Sequence, residues 1–310
     1  METRKLGSLE VSVVGLGCNN FGWRLDAQGT ATVVDAALDA GINFFDTATL
    51  YGEGKSEEFL GRALGKRRSQ VLIASKFGHP GEGPGKGAKP AYLQQAIETS
   101  LRRLGTDYID LYQLHMPDPE TPIADTLGAL DALVRAGKVR EIGCSNFSAA
   151  QLREAAQAVR PGAARFVSVQ NEYSLLHREP EAEVLPESER GQLAFLPYFP
   201  LASGLLTGKY RPGQAPPEGS RLSGGGLANR FLTEANIARA EELRRHAESR
   251  GHTLLDLAFS WLLARGPVVA SVIAGATSAE QVRANVAAAG WRLDAADLAK
   301  VDALTRSTSR

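Results

Sequence analysis

The chain of 310 residues predicts a single (β/α)8 barrel, and three observations carry that expectation. Short β-branched or aromatic runs recur along the whole length, amphipathic helical stretches separate them, and the runs number about eight, the count that closes a barrel. In order, the strand-like runs fall near 13–18 (VVGLGC), 42–47 (INFFDT), 71–76 (VLIASK), 108–114 (YIDLYQL), 139–144 (VREIGC), 166–170 (FVSVQ), 194–198 (AFLPY) and 271–274 (SVIA). Ahead of the first, KLGSLEVSVVGLG reads as a small hairpin covering the amino-terminal mouth.

Helix signals lie between the strands. Thr121 and Pro122 mark one start, and Pro90 opens PAYLQQAIETSLRRLG, because proline loses nothing in a first helical turn. Gly105 and Gly137 suit helix stops. Ser148 with Gln151, and Ser278 with Gln281, have the spacing of capping boxes. Two glycine-rich stretches, GHPGEGPGKG and YRPGQAPPEGSRLSGGGLANR, exceed a simple connection and read as lids or binding loops. DAADLAKVDALT is expected to pack on the outside. No linker divides the chain, so residues 1–310 form one domain.

Charge excludes several function classes. Lys and Arg total 35 against 35 Asp and Glu, so no global field draws in nucleic acid or an anionic membrane. Cys18 and Cys144 form no CxxC, which argues against a disulfide scaffold and a cysteine metal site, and no metal is expected. METRKLGSLEVS lacks the apolar core of a signal peptide, and no apolar run reaches the roughly 20 residues that span a bilayer. A soluble protein of the reducing cytoplasm is the expectation. Oligomeric state stays open.

In such a barrel the active site gathers at the carboxyl ends of the strands. Read in order, those ends give Cys18 and Asn19, Asp46, Lys76, His115, Ser145 and Asn146, Gln170, Tyr198, and Gly275 with Thr277. Each alone has a plain structural explanation: Asp46 as a turn cap, Lys76 as a solvated charge, His115 as a turn residue. Their joint placement points instead to proton transfer at a carbonyl oxygen. A phenol is a poor acid at its free pKa of about 10, and a neighbouring ammonium stabilises the phenolate. Lys76 would serve Tyr51 in that way, Asp46 would hold Lys76 charged, and His115 would donate to the carbonyl oxygen. The glycines of YGEG would let the tyrosine loop fold over the pocket.

The chain resembles the aldo-keto reductase family. GINFFDTATLYG, LIASK, YIDLYQLH, IGCSNF, VQNEY and PLASGLLTGKY match that family's successive blocks, in order, over nearly the whole length. The resemblance implies a nicotinamide cofactor extended over the carboxyl end and a catalytic tetrad of Asp46, Tyr51, Lys76 and His115, with Tyr51 as acid in reduction and base in oxidation. It implies a cofactor site to which Cys18, Asn19 and Asp46 also belong. Ser145, Asn146 and Gln170 would bind the carboxamide, and Tyr198 would stack on the nicotinamide. In the following stretch Phe199, Pro200 and Leu201 would also touch the cofactor, the backbone of Ser203, Gly204 and Leu205 would lie along the pyrophosphate with Lys209 adding charge, and Arg221 would act as a clamp. Gly275, Thr277, Gln281 and Asn285 would meet the adenosine, where a helix amino terminus at Ser278 favours phosphate. GLGCNNFG is not a dinucleotide fingerprint, since no helix opens after it.

Many family members carry basic residues where this chain has Gly275 and Gln281, which weakens the case for NADP(H); Arg221 and Arg283 would compensate, and NADP(H) is favoured over NAD(H). Phe21, Trp23, Leu50, Phe77 and Met116, with Tyr51 and His115, would give a mouth with apolar walls for an aldehyde or ketone. Two alternatives remain: a Schiff-base lyase using Lys76, and a cofactor-binding regulatory subunit with residual reductase activity.

Overall fold

The structure is a computed structural model describing residues 1–83 and 87–305; residues 84–86, within the first glycine-rich stretch, and 306–310 lie outside it. An antiparallel hairpin, β1 (Thr3–Leu6) and β2 (Leu9–Ser12), comes first. The barrel strands follow: β3 (Val14–Gly17), β4 (Phe44–Asp46), β5 (Leu72–Phe77), β6 (Ile109–Leu114), β7 (Val139–Ser145), β8 (Phe166–Glu172), β9 (Ala194–Tyr198) and β10 (Val272–Gly275). They are parallel neighbours in the order β10, β3, β4, β5, β6, β7, β8, β9. The ring closes where Phe195 N–H donates to Val268 O (2.7 Å) and Ala270 N–H donates to Phe195 O (3.1 Å). Every expected strand is present, each end within two residues of its sequence-based position.

Helices α1 (Ala27–Asp39), α2 (Lys55–Leu64), α3 (Pro90–Leu104), α4 (Ile123–Arg135), α5 (Ala149–Ala158) and α6 (Val184–Arg190) alternate with the strands up to β9. Then come α7 (Gly225–Phe231), α8 (Glu234–Ser249), α9 (Leu254–Leu263), α10 (Ala279–Ala288) and α11 (Ala295–Thr305). Pro90 opens α3 and Gly105 ends it in the left-handed region, φ 64°. Ser148 and Gln151 form both bonds of a capping box. At α10 the box is half made: Ser278 accepts from Gln281 N–H, but the Gln281 side chain accepts from Thr277 N–H (2.9 Å) instead.

Strand alternation divides the core in two. Phe44, Ala74, Leu111, Leu196 and Ile273 point into the barrel, where Leu6, Leu9 and Val11 of the hairpin plug the amino-terminal end. Each of those three buried side chains stabilises the fold by roughly 1.5–3 kcal/mol. Ser8 N–H ties the hairpin turn to Glu141 Oε1 (2.7 Å). Phe45, Ile73, Tyr112, Cys144 and Phe195 pack outward among the helices. One strand breaks the count: Ile142 pairs with Phe166 but Gly143 pairs with Ser168, so Val167 is an extra residue, a β-bulge in β8. After it, Val169 faces the helices and Gln170 faces the barrel axis.

Candidate active site

The same alternation sends Asp46, the last residue of β4, and Lys76, in β5, into the barrel at its carboxyl end. Lys76 Nζ donates to Asp46 Oδ2 (2.6 Å) and Thr47 O (3.1 Å), and lies 3.5 Å from Tyr51 Oη. Both members of the pair are buried. Asp46 Oδ1 accepts from Gln170 Nε2 (2.9 Å) and Gln113 Nε2 (3.4 Å), so the carboxylate's remaining lone pairs are satisfied and its desolvation is offset.

Tyr51 opens a tight turn, Tyr51–Gly54, that rests on the backbone of the β3–α1 loop. Gly52 makes this possible: its φ is 56°, and a Cβ there would lie 2.7 Å from Phe21 O. Beneath the turn, Arg103 donates to Thr49 O (3.5 Å) and pairs with Glu57 (3.3 Å), a buried carboxylate that also accepts from Ser75 Oγ (2.7 Å). Burial pushes the Glu57 carboxyl up. His115 follows β6, its N–H on Phe77 O (2.8 Å) and its ring edge-on to Tyr51 at 6.0 Å.

Burial pushes the Tyr51 phenol above its ordinary 10; the Lys76 charge pulls it down and Asp46 pushes it up again. The sequence led us to expect Lys76 to bring the phenol toward neutrality. Lys76 acts in that direction, but desolvation outweighs it and Asp46 claims part of its charge. Burial depresses Lys76, yet Asp46 and Tyr51 together hold it raised. Burial, then Lys76 and His79, lower His115 to about 2. At neutral pH the site therefore holds a protonated phenol, an ammonium and a neutral imidazole.

These groups sit at one end of a cavity of about 870 Å³, within the range of small-molecule sites. Tyr51, Asp46, His115 and Met116 line this end, with Asn19 beside them. Ser145, Asn146, Gln170 and Tyr198 form the adjoining wall. Asn146, at φ 63°, donates to His115 O (3.0 Å) and accepts from Tyr198 Oη (2.8 Å), linking the two. Ser145 Oγ donates to Gln170 O (2.7 Å). Phe199, Pro200, Leu201, Ser203, Gly204 and Lys209 continue the wall, with Ser203 and Gly204 at φ 56° and 102° exposing backbone at their turn. Arg221 follows, and Gly275, Thr277, Gln281 and Asn285 close the far end.

Six expected site residues lie elsewhere. Cys18, Phe21, Phe77 and Leu205 are buried in the outer core. For Cys18 and Phe77 the reason is parity: each is one residue out of phase with the inward-facing Asn19 or Lys76, so its side chain meets helices. Trp23 is 59% exposed and lines, with Leu50 and the rim of Tyr51, a separate smaller cavity next door. Lys76 sits behind Tyr51 rather than on the wall. Sequence reasoning missed Asn20, Arg24, His79 and Pro217–Ser220, all on the wall, and Gln113 on Asp46. Loops carry no periodicity that could have shown them; only Gln113 was findable, two residues before His115 and in phase with it.

The wall fits a dinucleotide. Asn20 Oδ1, His115 Nδ1, Ser203 Oγ, Ser220 Oγ and Arg221 Nε line it, buried, with no hydrogen-bond partner among the described residues, and unsatisfied buried polar groups are costly without a ligand or water. Burial and the nearby Arg24 push Arg221 down, the signature of a guanidinium without an anion. Arg24 also donates to Gly219 O, and Arg221 lies 5.5 Å from the Trp23 ring, so the 217–221 loop is latched across the cavity. Among the described residues no group of His, Cys, Asp and Glu could hold a metal ion, and no helix is long and apolar enough to cross a membrane.

A family model described as the aldo/keto reductase family matches residues 13–306. The chain is 37% identical over 300 residues to a probable voltage-gated potassium channel subunit beta of Oryza sativa subsp. japonica, covering 93% of this chain and 91% of that one. It is 36% identical over 281 residues to the NADP(+) aldo-keto reductase yakc of Schizosaccharomyces pombe, covering 85% and 80%. Its fold is similar to the glycerol dehydrogenase AKR11B4 from Gluconobacter oxydans, with TM-score 0.84, 32% identity, and 97% and 94% of the two chains covered.

Proposed function

The chain belongs to the aldo/keto reductase family of oxidoreductases, and from that premise we propose that it reversibly reduces an aldehyde or ketone to an alcohol, with NADP(H) as its cofactor. The observation that carries this reading is the 3.5 Å approach of Lys76 Nζ to Tyr51 Oη at the end of a cavity whose polar atoms lack partners.

When bound, the nicotinamide would supply the hydride for reduction. Tyr51 gives its proton to the carbonyl oxygen, and Lys76, already charged beside it, stabilises the phenolate left behind. Asp46 keeps the ammonium oriented. Neutral His115 hydrogen-bonds the carbonyl oxygen and orients it toward the phenol. In the oxidative direction Tyr51 returns as base. Ser145, Asn146 and Gln170 would hold the carboxamide, and Tyr198 would offer a flat apolar face. The backbone of residues 203–205, with Lys209 and Arg221, would take the phosphates.

NADP(H) is favoured because Arg24 and Arg221 bring cations to the wall beyond the Lys209 that would serve the pyrophosphate of either cofactor, and Arg221 lacks an anion. Arg283, expected to help, pairs with Glu280 (3.2 Å) and is off the wall. The test is a panel of carbonyls followed at the reduced nicotinamide absorbance with each cofactor. Faster kcat/KM with NADPH is expected; a higher value with NADH overturns the cofactor preference, and no turnover with any carbonyl overturns the reaction.

The plant relative's name keeps a second reading in view, a nucleotide-sensing subunit acting on a partner. Slow turnover across the whole panel together with very tight cofactor retention would favour it. A Schiff-base role for Lys76 needs a neutral amine, and Asp46 and Tyr51 hold this one charged.

A further inference from the structure

We propose that His79 is a specificity-determining donor at the substrate end of the cavity, giving an N–H to an oxygen on the carbon next to the carbonyl. The site then prefers α-hydroxy aldehydes and ketones to their deoxy counterparts. This rests on the carbonyl-reducing reading of the same site.

The expected apolar walls set the starting point. Phe21 and Phe77 are turned into the core, and the first side chain after the buried Lys76 to reach the wall is His79. Its ring lies 4.9 Å from that of His115, at 63°. Gly81 N–H donates to His79 Nδ1 (2.9 Å), so Nδ1 presents its lone pair and the ring's N–H is on Nε2. Nε2 has no hydrogen-bond partner among the described residues. The ring thus brings one committed nitrogen and one uncommitted donor to the cavity.

Its position is fixed from beneath. Glu82 Oε1 accepts from His79 N–H (3.2 Å) and from Thr49 Oγ1 (2.7 Å), and Tyr92 Oη donates to Glu82 Oε2. Thr49 is two residues from Tyr51, so one carboxylate ties the loop bearing the donor to the loop bearing the acid. A donor held in this way costs little to order when it binds. With the carbonyl oxygen at Tyr51 and His115, a hydroxyl on the neighbouring carbon meets the adjacent imidazole. A deoxy substrate leaves that N–H unmatched, and discrimination of about tenfold or more follows.

The test compares kcat/KM for 2-hydroxypropanal and propanal, with the full chain and the reduced cofactor. The wild type is expected to favour 2-hydroxypropanal by about tenfold or more, and His79→Phe to erase that ratio. Two further variants, checked for folding by circular dichroism, separate donor from loop cap. His79→Asn keeps an oxygen for Gly81 N–H but loses the distant N–H, and is expected to lose the preference; His79→Gln can place an amide N–H near the Nε2 position and is expected to keep part of it. A wild type without preference, or a preference surviving in His79→Asn or His79→Phe, overturns the inference and leaves the reductase reading standing. A wild type that reduces neither aldehyde overturns both.

Discussion

Two buried carboxylates, at different places in the barrel, make an instructive pair. Asp110, near the start of β6, accepts from Arg68 (2.7 Å), Arg140 (2.8 Å) and Ile73 N–H (2.9 Å). Asp46, at the end of β4, holds one cation, Lys76, and two amides. Around Asp110 every interaction closes on the fold. Around Asp46 the cation is left within reach of a phenol that borders the cavity. A buried ion pair is therefore no sign of chemistry by itself; what distinguishes the second is a partner with an interaction left to make at an opening.

Breaking the two in turn should give opposite results. Lys76→Met removes the ammonium from Tyr51 and strands Asp46, and turnover is expected to fall at least about 10³-fold, with a stability loss of roughly 3–5 kcal/mol. Tyr51→Phe should cost comparable turnover while cofactor binding, followed by fluorescence titration, stays almost intact; near-normal kcat would remove Tyr51 from the acid's role. Asp110→Asn should do the reverse. Its urea midpoint should drop by the equivalent of roughly 2 kcal/mol, discounted because Arg140 is half exposed, with kcat per folded molecule unchanged. A loss of kcat there would erase the distinction.

The smallest expected effect is a flat pH profile. His115, lowered to about 2, gains no proton as pH falls from about 8 to 5, so reduction should show no step at its ordinary 6.5. Tyr51, raised above 10, keeps its proton as pH rises, so the loss on the alkaline side should come only above about pH 10. A reduction rate that halves near pH 6.5 would show that His115 does titrate and would contradict its burial.

The strands were legible because a buried parallel strand is a short apolar run, and the tetrad because each such run ends in a polar residue. Cys18 and Phe77 were misplaced for the same reason that Asn19 and Lys76 were found: strand ends were read as single points, while the pleat sends neighbours to opposite faces. Phe21 lies in a loop and Leu205 in a short kinked 3-10 helix, Ala202–Thr207, where no strand alternation tells a wall from a core. His79 and Arg24 owe their positions to long-range bonds, Glu82 to Thr49 and Arg24 to Gly219, that have no local signature.

The extra residue at Val167 has a consequence for anyone altering this chain. The bulge absorbs that one residue, so the side chains beyond it keep the phase with the cavity that a regular ladder from Phe166 would give. Excising Val167 would leave Phe166 and Ser168 consecutive opposite Ile142 and Gly143, a regular ladder in which Val169 still faces the helices and the Gln170 amide still reaches Asp46. A graft between two such barrels must therefore match the strand partner of each inward position, since the count of residues leading to it can differ by the one that a bulge takes up.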